Sequence, residues 1–192
     1  RIDLKQFMKV VPYLPDVEGW LGGSAHYVDS EGQMMLSADV SLDNFVYEKS
    51  PLGNWTMNGV YLPGDNNAHH VDGFITHNDR EIIYMNGIYQ TDETGQENIT
   101  GELELQHFPL WVINPFIPDR IVDFRGDIDG TLAMEGNPLK PVLNGGLQLD
   151  SVLMVMPDMS IGFRFDNKQV KMQDSKMVFD KFNIYTRGET PF

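Results

Sequence analysis

Leu36-Ser-Ala-Asp-Val-Ser-Leu42-Asp43 alternates apolar and polar residues with a period of two, and it returns as Leu143-Asn-Gly-Gly-Leu-Gln-Leu149-Asp150. Alternation of this kind marks a strand with one buried face. The return comes 107 residues on, from 36 to 143 and from 43 to 150, and Gly23 and Gly130 keep the same spacing. Upstream, Pro12-Tyr-Leu-Pro-Asp16 recurs as Pro115-Phe-Ile-Pro-Asp119, 103 residues on, so an insertion or deletion of four residues separates the two blocks. The repeat predicts a first unit over 1–107 and a second, truncated unit over 108–192, in one continuous β structure. Repeated strand-rich units stack into elongated solenoids or extended curved sheets rather than compact catalytic domains.

Working outward, strand patterns dominate. Leu147 and Leu149 flank Gln148; Ile161, Phe163 and Phe165 alternate with Gly162 and Arg164. Val170 and Met172 flank Lys171 after an Asp166-Asn167 turn, and Phe182 and Ile184 flank Asn183. Residues 55–57, 71–76, 81–90 and 99–105 read as further strands, punctuated by Gly, Asn and Asp. The alternation predicts sheets with one apolar and one wet face. Two segments break it. Leu4, Phe7, Met8 and Val11 have helical spacing, stopped by Pro12, and Leu110 to Phe116 holds the matching place between Pro109 and Pro115. Each is expected to be a short apolar helix. Pro63-Gly-Asp-Asn-Asn67 is the most loop-like stretch.

The chain has 192 residues, 14 basic and 28 acidic, for a net charge of −14. That argues against nucleic acid, which needs a basic footprint, and against electrostatic docking on anionic lipid surfaces. Binding of lipid tails, which are read by apolar area, stays open. No cysteine is present, so disulfides, thiolate metal sites and cysteine nucleophiles are absent. No run approaches the length of a membrane-spanning helix. The start at Arg1 and the stop within Gly-Glu-Thr-Pro-Phe192 suggest a piece of a longer protein, with targeting or anchoring segments outside it. Eleven methionines suit surfaces that accept varied apolar shapes, and equally suit ordinary core filling.

No catalytic pattern stands out. His69, His70 and His77 lack acidic partners at ligand-like spacing, and the His pair reads as solvated loop residues beside the Asn-rich stretch. Asp127, Asp129 and Glu135 fail the frame of a calcium loop, because the first and twelfth positions would be Arg125 and Gly136. No nucleophile elbow, phosphate loop or dinucleotide fingerprint occurs. The reading is therefore a non-enzyme with no metal site and no cofactor. Trp20, Trp55 and Trp111 could stack on sugars, though packing accounts for them as well.

From Gly126 to Leu149 the sequence Gly126-Asp-Ile-Asp-Gly130, then Gly136-Asn-Pro-Leu-Lys-Pro141, then Pro141-Val-Leu-Asn-Gly145 and the alternating strand after it resembles the TamB family of AsmA-like proteins. Leu110-Trp-Val-Ile-Asn-Pro-Phe116 is similar to the family's short helix, and the likeness extends from about Phe108 to Arg187. The first unit shares Gly23 and 36–43 but replaces the turn with Asp29-Ser-Glu-Gly-Gln-Met34. The resemblance implies a long curved sheet folded into a taco-like trough with an apolar interior. It implies the periplasmic portion of a bridge-like lipid carrier of a Gram-negative bacterium, anchored in the inner membrane by a helix outside this sequence. Phospholipid acyl chains are the implied cargo, and an Omp85-type outer-membrane barrel is a partner on an older reading of the family.

The residues expected to wet acyl chains are Leu36, Val40, Leu42, Leu147, Leu149, Ile161, Phe163, Phe165, Val170, Met172, Phe182 and Ile184. The same residues would also form a dry sandwich core. Two other uses stay open: a structural or carbohydrate-binding β-solenoid, and an outer-membrane protein assembly factor that templates client strands on open sheet edges.

Overall fold

The computed structural model of the chain describes residues 1–8, 15–30, 33–64 and 67–186. They form strands β1 (Ile2–Asp3), β2 (Val17–Ser30), β3 (Gln33–Tyr47), β4 (Ser50–Pro63), β5 (Ala68–His77), β6 (Arg80–Thr91), β7 (Glu97–Pro109), β8 (Asp123–Gly136), β9 (Val142–Met156), β10 (Ile161–Phe165), β11 (Gln169–Gln173), β12 (Lys176–Val178) and β13 (Ile184–Thr186). The chain is all-β and mostly antiparallel. Helix is limited among the described residues to α1 (Leu4–Met8) and short 3-10 segments at Leu110–Phe116, Pro118–Arg120 and Pro157–Met159. Val11, expected in the first helix, lies outside the described residues. The second expected helix is 3-10, because Pro115 within it has no N–H to donate and the segment is too short to establish an α ladder. Asn114 ties that segment to β8: its Nδ2 donates to Phe124 O (2.9 Å) and its Oδ1 accepts from the Phe124 N–H (2.8 Å).

The chain divides into two compact units, unit 1 with residues 1–103 and 134–141, and unit 2 with 104–133 and 142 onward. In unit 1, β1 to β6 pair in chain order, each with the next. Two-residue turns close two of these hairpins. Glu48 and Lys49 (φ 44 and 67) join β3 to β4, and Asn78 and Asp79 (φ 49 and 65) join β5 to β6. Both centre residues of such a turn are left-handed, matching the twist of the strands. Asn and Asp tolerate that conformation; Glu and Lys pay for it in backbone–Cβ strain. Lys49→Gly is therefore expected to stabilise the protein by about 0.5–1 kcal/mol, the relieved strain less the extra unfolded-state entropy of glycine. A urea midpoint below that of the parent would contradict the left-handed turn.

The 107-residue repeat is a repeat of backbone geometry. Gly19 has φ 126, and a side chain there would meet Asp43 O and Asn44 O at 2.8 and 3.0 Å. Its counterpart Gly126 has φ 90, and a side chain would meet Asp150 O and Ser151 O at 2.6 Å each. Asn44 and Ser151 are themselves left-handed (φ 51 and 53). Each donates its backbone N–H to an asparagine side chain, Asn44 to Asn54 Oδ1 (2.8 Å) and Ser151 to Asn167 Oδ1 (2.9 Å). His107 (φ 45) in β7 does the same to Asp129 Oδ1 (2.8 Å). These are bulges, each with the freed N–H satisfied by a side chain of a later segment. In unit 1 the register of β2 against β3 shifts there, between Glu18 and Trp20.

The cores lie near these bulges. In unit 1, Leu52 and Ile82 are buried, and so is His77, whose Nε2 lies 2.9 Å from Leu52 O and whose ring packs 4.6 Å from that of Trp55. In unit 2, Val112, Leu132, Leu147, Val152 and Val170 are buried. Here β8, β9, β10 and β13 are neighbours in that order, and β11 pairs with β9 and with β12. Two glycines face large residues across β8 and β9. Gly130 (φ 150) lies against Leu147, and Gly145 (φ 154) lies against Leu132.

Candidate apolar binding face

Register places one set of unit 1 side chains on a single face. Leu21, Gly23, Ala25 and Tyr27 of β2 sit opposite Leu42, Val40, Ala38 and Leu36 of β3. Those in turn face Trp55, Met57, Gly59 and Tyr61 of β4. The rows continue through Ile75, Gly73 and Val71 of β5 to Ile83, Met85 and Gly87 of β6. Within these rows there is no carboxylate, in a chain with 28 acidic residues, and the charged side chain they reach is Arg80, which ends the row through Leu42, Trp55 and His77. The first carboxylate on this face is Asp29, near the end of β2.

The face is open. Tyr27, Leu36, Met57, Val71 and Met85 are each more than a third exposed, Met57 by 48%. From Ala25 through Ala38 and Gly59 to Gly73 the middle row carries almost no side-chain bulk, which returns at Met85. At one margin His69 closes the row. Its Nδ1 lies 2.6 Å from Tyr61 Oη, and its ring lies 5.6 Å from Tyr61 and 5.8 Å from Tyr89. His69 and His70 are thus strand residues of β5, not the loop pair that the neighbouring asparagines suggested; the strand begins at Ala68. Among the described residues no group of three or more His, Asp and Glu is placed to hold a metal ion.

The opposite face is polar by construction. Ser24 Oγ donates to Asp39, Thr56 and Thr76 share a 2.5 Å hydroxyl bond, and Arg1 pairs with Asp43. Tyr84 donates its phenol to Asp72 (2.7 Å), and that bond holds the phenol above its ordinary pKa. Trp20, Val28, Leu62 and Ile88 are exposed on this side, but they are interleaved with polar residues: Trp20 faces Asp43, and Leu62 and Ile88 flank His70.

The twelve residues singled out from the sequence fall into three groups. Leu36, Val40 and Leu42 share the open face of unit 1. In unit 2, Leu147 pairs with Val170 across β9 and β11, Met172 pairs with Gly145, and Leu149 is half-buried two residues along β9. Leu147 and Val170 are sealed, at 4% and 2% exposure, and act as core. The third group is aromatic. Phe163 and Phe165 of β10 pair with Thr186 and Ile184 of β13, Phe182 packs on Phe165 (6.1 Å), and Phe179 meets Phe182 edge-on (5.2 Å). Ile161 is exposed at the start of β10.

Sequence reasoning missed most of the open face: Tyr27, Met57, Val71, Ile75, Ile83 and Met85. The strands of all but Tyr27 were legible, but adjacent apolar pairs such as Phe74-Ile75 and Ile82-Ile83 hide which member points where. Strand pairing supplies that answer. Among the described residues no helix is long and apolar enough to cross a membrane. Compared with known proteins, the chain matches no family model, no curated protein and no solved structure.

Proposed function

We propose that this chain is a lipid-holding segment of a TamB-like bridge carrier, non-enzymatic and periplasmic, that accommodates phospholipid acyl chains on an apolar sheet face. The observation that carries this reading is the apolar face of unit 1, whose paired rows hold no carboxylate and five of whose large apolar residues stand open. Each methylene moved from water onto such a surface gains at most about 0.8 kcal/mol. A face whose polar groups are confined to its margins offers many equivalent positions, which suits a chain that must slide and not one that must be recognised. Met57 and Met85 add adaptable, polarizable contact. The repeated bulge geometry and the sequence likeness from Phe108 to Arg187 support the family reading. The Omp85-type barrel and the inner-membrane anchor come with that family reading alone.

The test uses Leu36→Glu and Met57→Glu. Both side chains reach water, so each variant is expected to melt within a few degrees of the parent. Phospholipid co-purified with the chain, counted by native mass spectrometry, is expected to fall several-fold, because a carboxylate in the acyl path must be desolvated or protonated. A parent chain that never carries lipid would overturn the proposal and favour the sugar-binding solenoid or the sheet-edge assembly factor.

A further inference from the structure

Over most of its length β2 has a neighbour on one side only. It pairs with β3 from Val17 to Ser30, but on its other side β1 covers just Trp20 and Leu21. Among the described residues, nothing in strand pairs with residues 22–30 on that side. The open run is roughly 30 Å long. Every second backbone N–H and C=O along it points out of the sheet. Residues 23–29 are all exposed, Tyr27 by 61% and Val28 by 46%.

Proteins blunt such edges with proline, lysine, a bulge or brevity. The strands β12 and β13, each paired on one side, have three residues apiece, and β12 opens on Lys176. Residues 22–30 contain no proline, no lysine or arginine, and one carboxylate, Asp29. The bulge of β2 lies before them, between Glu18 and Trp20. This edge is therefore unblocked.

The repeat shows what fits it. The counterpart of 22–29, 107 residues on, is 129–136 of β8, and β8 has β7 beside it. His107 of β7 donates its backbone N–H to Asp129 Oδ1 there (2.8 Å). Residues 130–136 are not exposed in one run; burial alternates along them, and Leu132 is 4% exposed where the first unit has an exposed Ala25. In the first unit β1 holds the place of β7: it runs antiparallel to β2 and leads into α1 as β7 leads into Leu110–Phe116. β7 itself alternates, with Ile99, Leu103 and Leu105 set among Thr100, Glu102, Glu104 and Gln106.

We propose that residues 22–30 are a docking edge for an extended polypeptide segment, which adds antiparallel to β2 in continuation of β1 and alternates apolar and polar side chains after the pattern of β7. Backbone hydrogen bonds supply the affinity, and the alternation supplies the selectivity. The apolar set of the added strand falls in the rows of Gly23, Ala25 and Tyr27 and widens the open face by one strand; its polar set falls with Ser24 and His26. The proposal does not rest on acyl-chain binding.

The experiment titrates the full chain with a synthetic peptide of the β7 sequence 97–106, following backbone amides by NMR and hydrogen exchange. Saturable shifts are expected over residues 22–30, and every second amide there should gain about tenfold or more in protection. A peptide of the same composition, with its apolar residues gathered at one end, should bind about tenfold or more weaker. Two N-methylated peptides locate the contact, one blocked at the odd positions and one at the even. An added strand bonds through one edge, so one of the two should lose binding and the other keep it. Absence of saturable shifts, methylated peptides that bind alike, or a reordered peptide that binds as well would overturn the proposal. So would shifts confined to β6 and β8, which mark displacement of β7. A chain that sediments as a dimer with 22–30 already protected would also overturn it, in favour of a second copy on this edge.

Discussion

Leu147→Glu is expected to unfold unit 2, whereas Met57→Glu leaves the fold intact. The two residues look alike in sequence, each an apolar position in a strand with period-two neighbours. Leu147 is 4% exposed, wedged beside Gly130 on one side and Val170 on the other. A glutamate there either keeps a charge without partner or solvent, or takes up a proton at the expense of folding. With the lost packing, the cost is about 4 kcal/mol or more, most of the roughly 5–15 kcal/mol that holds a domain together. Thermal melting by circular dichroism checks it: a variant that melts within a few degrees of the parent would show that Leu147 is not sealed.

The second large effect concerns the glycines that make room for that core. Gly130→Ala places a methyl 2.1 Å from Gly146 O and 3.0 Å from the Leu147 Cα, at a backbone φ of 150. Gly145→Ala places one 2.2 Å from Thr131 O at φ 154. Both neighbours are backbone of a paired strand and cannot swing aside. Each substitution is expected to destabilise by about 3 kcal/mol, from backbone strain and overpacking together. Gly59→Ala is the control, since its nearest neighbour, Asp72 O, would be 3.7 Å away. It should shift the denaturant midpoint little, and equal losses at all three positions would discredit the close-approach account.

Much of the fold was readable because strand formation depends on local alternation, which the sequence carries openly at 36–43, 143–150 and 161–165. The repeat was readable because a glycine that must approach a carbonyl recurs with its surroundings, at 23 and 130. Less visible was anything set by a non-glycine residue in a left-handed conformation. Asn44, Glu48, Lys49, His107 and Ser151 give no warning of it individually. The histidine pair was misplaced for a related reason: the composition of 64–67 pulled the loop past its true end at Ala68. The site residues divided between open face and sealed core because burial depends on what the partner strand contributes. Leu147 is closed in by Val170, whereas Leu36 stands 40% exposed.

The bulges at Asn44 and Ser151 act on side-chain alternation as a frameshift acts on a coding sequence. Before Asn44, the even-numbered residues Leu36 to Leu42 carry the apolar face; beyond it, Tyr47 pairs with Val17, in line with Leu21 opposite Leu42, so the odd numbers take over. In β9, Leu147 and Leu149 hold one phase, and Val152 is buried again after an odd step. Each long strand therefore contains two reading frames joined at a left-handed residue. A change that looks conservative by parity on one side of the joint has the opposite meaning on the other, and the two copies of the unit stay in phase because both shift at the same place.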